Sequence, residues 1–569
     1  MSSKEERKKM KELYQENYGL KALLYFLIIL TALFNVASAF AIQTTVDVIS
    51  SHDVEKFKLA IILFALFFVG LVLSQYFYMK AYNTYSCYVG RVLRENLFKN
   101  IIKKNYNEFS KRETGDYISM LTIDAQKLEE GYFLSKITIA NNIISIGSSV
   151  LSMLIMSWKL SLVVFVFALI PIVVSSYFGK NLPKLNAEII DSNDKMVSFT
   201  KEALSGFSVM KSFLVEKNIL KRFLKVNEKR QKSMQAVSDE AAKIMVFTEG
   251  ANSAVLIGTI AVGSIMIFNS MLTVGTIMAF FELLMNILTP IEEFSRNMAL
   301  QKGVKPIVLK VIEDSEGNEK QEQNKLQIEE FKDSVNIENL TFSYDKEVNA
   351  LQDISLQIEK GKKYALVGNS GCGKSTLFGL LRGYYPDYSG NLKIDDTEIR
   401  DISIYSINKM VSIVDQSVFI YNASIRDNIT LFSDYSDEQI YNVVHMAGLD
   451  DFVEKNGLDA LCGEDGNLIS GGERQRISIA RCLLRNTQIL LFDEGTSALD
   501  NRIANDIENL ILSLDKTCVA ITHRLNPNIL RKYDRIFILD KGKLVEYGDY
   551  EYLIQQQGRL WEQIQLLQD

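Results

Sequence analysis

Gly368-Asn369-Ser370-Gly371-Cys372-Gly373-Lys374-Ser375-Thr376 fits the pattern G-x-x-x-x-G-K-[ST]. Glycines at these spacings let backbone N–H groups curl into an anion nest at a helix N-terminus. Lys374 is long enough to reach the outer phosphates of a nucleotide, and the Ser375 hydroxyl is a hard oxygen suited to Mg2+. Further on, ILLFDEG (residues 489–495) is an apolar run that ends in two acids. Buried carboxylates are costly without partners. Asp493 is suited to holding the metal through water, and Glu494 to polarising a water that attacks the γ-phosphate. Alone, such a pair reads as a solvated strand end; the phosphate loop upstream turns it towards nucleotide hydrolysis. His523, in VAITHR, lies just past another apolar run, where nucleotide sites of open α/β sheets fall. A lone histidine is more often structural, and its position is what raises this one; Gln416, in IVDQSVF, is a similar case that alone would mean little. A second glycine loop, ISGGERQR, sets Ser470, Gly471 and Gly472 directly before the helical ERQRISIARCLL, whose first amides offer another anion site.

Strands and helices must position these loops. YALVG, ILLF and CVAI are short apolar runs of the kind found in buried parallel strands, and VNIENLTFSY (335–344) and ISLQIEKG (354–361) alternate as half-buried strands. With helical stretches between them, residues 329–569 read as an α/β P-loop NTPase domain. The polar EDSEGNEKQEQNK (313–325) marks a linker, placed at 304–328.

The first half has another character. Apolar stretches near 23–49, 57–79, 137–157, 160–179, 244–268 and 272–291 are each long enough to cross a ~30 Å hydrocarbon core, which gives an α-helical membrane domain over 22–303 with six transmembrane helices. The charged lead, residues 1–21, is too long for a signal peptide and reads as an amphipathic helix on the inner membrane surface or as a solvated tail. Basic residues such as Arg91, Arg94, Lys99, Lys201 and Lys217 crowd the connections after the second and fourth spans, so both termini and these connections are expected in the cytosol. Folded as helical pairs, residues 80–135 and 180–243 would extend the spans by some ~40 Å. Asn35, Asn141, Asn142, Glu249, Asn252 and Asn286 within the spans read either as the wall of a polar cavity or as interhelical hydrogen bonds, the second being favoured for each asparagine. Glu282 reads either as another such bond or as the counter-charge for a cationic cargo.

Composition sets limits. The chain has 569 residues, 47% hydrophobic and 23% charged, too long for one core. A net charge of −6 offers no basic footprint for nucleic acid. Five cysteines without disulfide or metal spacing point to a reduced compartment.

The order GNSGCGKST, VDQSVF, ISGGERQR, ILLFDEG, SALD and a strand-terminal histidine closely resembles the nucleotide-binding domain of ABC transporters. Six preceding spans with long connections resemble the exporter branch, and CGEDG (462–466), RETGDYISMLTIDA (112–125) and KEALSGFSVMKSF (201–213) are similar to exporter stretches. The resemblance implies ATP and Mg2+ as cofactors. It implies Glu494 and His523 as catalytic residues, the phosphate loop, Gln416 and the Ser470–Gly472 signature as nucleotide contacts, and Tyr344 as the aromatic that stacks on adenine. Ser375, Gln416 and Asp493 are the implied metal ligands. It also implies head-to-tail pairing, each ATP lying between one copy's phosphate loop and the other's signature. The complete set of Glu494, His523 and both signature glycines favours a second copy of the same chain, with a different partner left open. Export by alternating access of an amphipathic small molecule, lipid or peptide is the expected activity, within membrane lipid. An ATP-gated channel or regulator, and an ATPase merely anchored by its spans, are the competing readings. No protease-like domain precedes the spans, which disfavours cargo with a cleaved leader, and a composition rich in Lys, Ile and Asn suggests a bacterial plasma membrane. Departures from the family pattern are Glu473 in ISGGE, Gly495 after the acids, and Asp415 before Gln416.

Overall fold

A computed structural model describes residues 10, 14, 16–51, 53–315, 325–345, 348–496 and 499–566. Two compact units result, Met1–Asn100 with Thr114–Asp314, and Ile101–Glu113 with Ser315–Asp569.

Six helices of the first unit are long and apolar enough to cross a membrane: α1 (Tyr18–Ser51), α2 (Val54–Ile102), then, after the short α3 (Tyr106–Ser110) of the second unit, α4 (Thr114–Met156), α5 (Trp158–Ser205), α6 (Glu216–Phe268) and α7 (Val274–Ser315). They run well past the apolar stretches, which merge into polar, still helical extensions. Two π turns, Met120–Asp124 and Glu129–Leu134, interrupt α4. Beside the second, Gly131 is so close to α7 that a Cβ would lie 2.5 Å from Val304 Cγ1. Glu129 accepts from Ser86 Oγ at 2.7 Å and tethers the same turn to α2.

Two expected boundaries are corrected. The linker does not begin at residue 304, because VKPIVLKVI keeps apolar residues at helical spacing and buries Val304, Val308, Val311 and Ile312, so α7 continues to Ser315. Nor does it extend to 328, since the Leu326 N–H donates to Asp401 O at 2.8 Å and the Ile328 N–H to Ser406 Oγ at 3.0 Å within the second unit. Most of the lead, and residues 316–324 of the linker, lie outside the described residues, as do Ser497 and Ala498 of SALD. Within the lead, α1 already begins at Tyr18, and Tyr14 is buried with its ring 4.5 Å from that of Phe133.

The second unit holds two sheets. β1 (Ser334–Ser343), β2 (Asn349–Glu359), β4 (Ser389–Ile394) and β5 (Thr397–Glu398) form an antiparallel sheet in the order β2-β1-β4-β5. β3 (Lys363–Gly368), β6 (Val411–Val414), β7 (Ile489–Asp493), β8 (Thr517–Ile521), β9 (Arg535–Asp540) and β10 (Lys543–Gly548) form a second, ordered β10-β9-β3-β8-β7-β6 and parallel except at β10. Its central strands are buried on both faces. Leu490, Phe492, Cys518 and Ala520 enter one core, and Ile489, Leu491, Val519 and Ile521 the other. This is why the strands read as unbroken apolar runs. Around them lie α8 (Lys374–Leu381), α9 (Gly471–Arg485) and α10 (Asn501–Ser513). The cysteines are free, with Cys87 exposed and Cys372, Cys462, Cys482 and Cys518 buried in the second unit.

Candidate active site

The chemistry-bearing residues gather past the C-terminal ends of adjacent parallel strands. The phosphate loop follows β3, Asp493 ends β7, His523 follows β8 and Gln416 follows β6. That edge is where an open α/β sheet leaves a crevice.

Glycine builds the loop. Gly373 has φ 106°, and a Cβ there would lie 2.7 Å from Ala350 O, so both conformation and space exclude a side chain. Gly373 caps α8, whose first residue, Lys374, is buried and donates to the carbonyls of Gly368 at 2.7 Å and Asn369 at 2.9 Å. Cys372 is buried at the base of the loop, and Asn369, Ser370 and Gly371 line its exposed rim. Thr376 Oγ1 lies 3.0 Å from Tyr344 OH, which sets that ring beside the loop, edge-on to Phe342 and Tyr385 and 61% exposed.

Glu494 is the hub of the carboxylate cluster. Its Oε1 is 3.0 Å from His523 Nε2, and its Oε2 accepts from Gln416 Nε2 at 2.9 Å. Neighbouring Asp493 accepts a hydrogen bond from Ser375. Burial lifts the Asp493 carboxyl above the ordinary carboxylate range; the Ser375 bond pulls the other way, and nearby Glu494 and Asp415 add to the rise. The Ser375 hydroxyl, the half-buried Asp493 carboxylate it donates to and the amide oxygen of Gln416 are hard donors of the sort Mg2+ takes, so these three residues fit that ion.

The second glycine loop stands apart. Ser470 caps α9 through a reciprocal box in which the Ser470 N–H donates to Glu473 Oε2 at 2.7 Å and Ser470 Oγ accepts from the Glu473 N–H at 3.3 Å. A glutamine oxygen could accept the same bond, which explains physically why glutamate serves here. Among the described residues, no hydrogen bond or ion pair joins Ser470, Gly471 or Gly472 to the phosphate loop of the same chain.

Two contributors lie outside the residues that the sequence singled out for chemistry. Gln475 Nε2 donates to Glu494 O at 2.9 Å, and Thr496 Oγ1 donates to Glu508 Oε1 at 2.6 Å. A signal for the first existed, because Gln475, Ser478, Ile479 and Cys482 make one buried helical stripe and the glutamine is its polar intruder.

In the first unit, a cavity of about 910 Å³ opens between helices, lined by apolar residues such as Ile146, Ile172, Met245 and Phe294, with Glu249, Asn252 and Thr248 among them. Glu282 is not part of that lining. Its Oε1 accepts from Ser38 Oγ at 2.6 Å, an α1–α7 hydrogen bond of the interhelical kind, while its Oε2 is buried without a partner among the described residues.

Known proteins match both units. The ABC transporter transmembrane region family matches residues 22–291, and the ABC transporter family matches residues 351–497. The chain is similar to the ATP-dependent lipid A-core flippase of Wigglesworthia glossinidia brevipalpis, 31% identical over 491 residues, 84% of this chain and 83% of that one. The flippase of Photorhabdus laumondii is 32% identical over 476 residues, covering 82% and 81%. HepA of Nostoc, a heterocyst differentiation ATP-binding protein, is 29% identical over 482 residues, covering 83% and 78%. In fold, the chain matches a bacterial Atm1-family ABC exporter solved with ATP bound, at a TM-score of 0.84 and 22% identity over 97% of this chain and 99% of that one. With six membrane helices, a phosphate loop and paired acids on one polypeptide, and relatives of this likeness along most of its length, the chain belongs to the ABC transporter family as an ATP-hydrolysing, multi-pass half-transporter of the exporter type.

Proposed function

We propose that two copies of this chain export an amphipathic cargo, with lipid the class its relatives favour and small molecules or peptides within reach, by alternating access driven by ATP. The observation that carries the cargo class is the roughly 910 Å³ cavity of the membrane unit, apolar on most sides with a few polar side chains, a size and lining suited to an amphipathic molecule. The flippase relatives support lipid within that class.

Roles follow from chemistry. Backbone amides of residues 368–376 and Lys374 hold the phosphates, and Tyr344 stacks on the base. Glu494 accepts the proton of, or polarises, the attacking water, and His523 senses the γ-phosphate while orienting the carboxylate it touches. Ser375, Asp493 and Gln416 would hold Mg2+, which supplies charge neutralisation between the outer phosphates. The signature turn, unjoined to its own phosphate loop, serves the nucleotide of a second copy across a two-fold axis. Closure around two nucleotides favours one orientation of the membrane helices and hydrolysis releases it. Both termini face the cytosol of a bacterial cell, by the basic connections.

The test is ATP hydrolysis by the purified chain in lipid vesicles, with particle mass and ATP-dependent uptake of fluorescent lipids and amphipaths into inverted vesicles. A two-copy particle is expected. Glu494→Gln should retain ATP yet lose turnover at least about a hundredfold, and Lys374→Ala should weaken ATP binding itself. A one-copy particle with full turnover would sink the dimeric reading, and hydrolysis indifferent to every amphipath would sink the cargo class.

A further inference from the structure

Glu494 has a backbone φ of 52°, a left-handed conformation that residues with side chains adopt only when their surroundings hold it. Its peptide groups are held from two sides. The Glu494 N–H donates to Ile521 O at the end of β8, at 3.2 Å, and its carbonyl accepts from Gln475 Nε2 at 2.9 Å. Two residues later, the bond from Thr496 to Glu508 ties the same turn to α10. The carboxylate so aimed meets Gln416 and His523.

Gln475 is 2% exposed and sits on the second turn of α9. The first turn of that helix is the signature, Ser470 as cap and Gly471 and Gly472 as its first residues. One rigid helix therefore presents an anion-seeking end and, one turn further in, grips the main chain of the catalytic carboxylate.

We propose that Gln475 is a positioning residue that reports engagement of the signature turn to Glu494 of the same chain, so that a nucleoside triphosphate capped at one site sets turnover at the other. The inference rests on the dimeric reading, in which the signature caps the nucleotide held by the other copy. The nucleotide that touches α9 is then not the one that Glu494 acts upon. Any displacement of α9 towards the γ-phosphate moves the Nε2 donor, and with it the carbonyl that fixes φ at Glu494. Each site thereby biases the other, which is a coupling free energy and appears as cooperativity in ATP.

The experiment measures ATP hydrolysis against ATP concentration for the full chain in lipid vesicles, for wild type, Gln475→Met and Gln475→Glu. Both substitutions keep the side-chain length and remove the neutral amide donor, and the second keeps a polar head should the first disturb folding. Wild type is expected to show a Hill coefficient between about 1.5 and 2 for two sites. In the variants kcat falls about tenfold, the worth of one ordering hydrogen bond, and the Hill coefficient falls to about 1. Binding of a fluorescent ATP analogue, read in the Glu494→Gln background, stays as in the parent in both variants, and the melting temperature stays close to the parent in Gln475→Met, whereas Gln475→Glu, which buries a carboxylate against a carbonyl, melts lower. Cooperativity preserved in both variants overturns the proposal, as does a wild-type Hill coefficient of about 1 in a two-copy particle. A parallel loss of ATP affinity and melting temperature overturns it too, by making Gln475 merely structural. A one-copy particle overturns the dimeric reading itself, which separates that failure from the others.

Discussion

Glu494 and Asp493 announce themselves because two acids ending an apolar strand have no cheap structural excuse; the residues that hold them do not. Gln475, although inside ISGGERQR, and Glu508 are lone polar side chains whose partners, a carbonyl and a hydroxyl, are distant in sequence. Only the fold creates those pairs. Glu508 offers a pH test. Burial lifts its carboxyl above the ordinary range, while the Thr496 hydroxyl and the Arg524 charge act against the rise. With the folded pKa above the unfolded one, the folded protein binds the proton more tightly, so this contribution to stability is present below the unfolded pKa and lost as pH rises through the folded pKa. Glu508→Gln leaves an acceptor for Thr496 and removes the charge. It should raise the melting temperature by roughly 1–3 °C at about pH 7.5, with the gain fading towards about pH 4. A gain equal at both pH values would assign it to packing instead.

At the scale of elements, the six spans were legible because hydrocarbon demands long unbroken apolar runs, and the buried strands β3, β7 and β8 because both faces are covered. The edge strands β5 and β10 were not, being short and polar on one side. Nor were the π turns of α4, since one extra residue per turn leaves hydropathy unchanged. The same limit hid the overrun of α7 to Ser315, where charged residues on one face masked a continuing stripe. Asp415, a departure with no consequence in sequence, gains one here. It accepts from Arg382 Nη1 at 3.4 Å, and that guanidinium lies 4.3 Å from the centre of the Tyr384 ring. Tyr384 also stacks on Tyr106 of α3, with centroids 4.1 Å apart and planes 17° from parallel. A double-mutant cycle of Tyr106→Ala and Tyr384→Ala on thermal unfolding should show a coupling of about 0.5–1.5 kcal/mol. Strict additivity would mean that the rings touch without consequence for the docking of α3.

For the whole molecule, orientation is the property that neither apolar length nor strand burial decides, since it follows from charge in the connections. An impermeant maleimide applied to intact cells should leave Cys87, on the basic extension of α2, unmodified and should label Asn269→Cys, in the connection between α6 and α7. The reverse pattern would invert the topology. The distribution of thiols makes this measurement clean and reaches beyond it. The four remaining cysteines are buried, and burial pushes the thiols of Cys482 and Cys518 up to about 12, far from the thiolate that reacts. Substituting Cys87 alone therefore leaves a chain on which a single introduced cysteine carries nearly all the signal. Paired spin labels or dyes could then report whether and when two copies approach during turnover, as the dimeric proposal requires, without disturbing a single core residue of the ATPase.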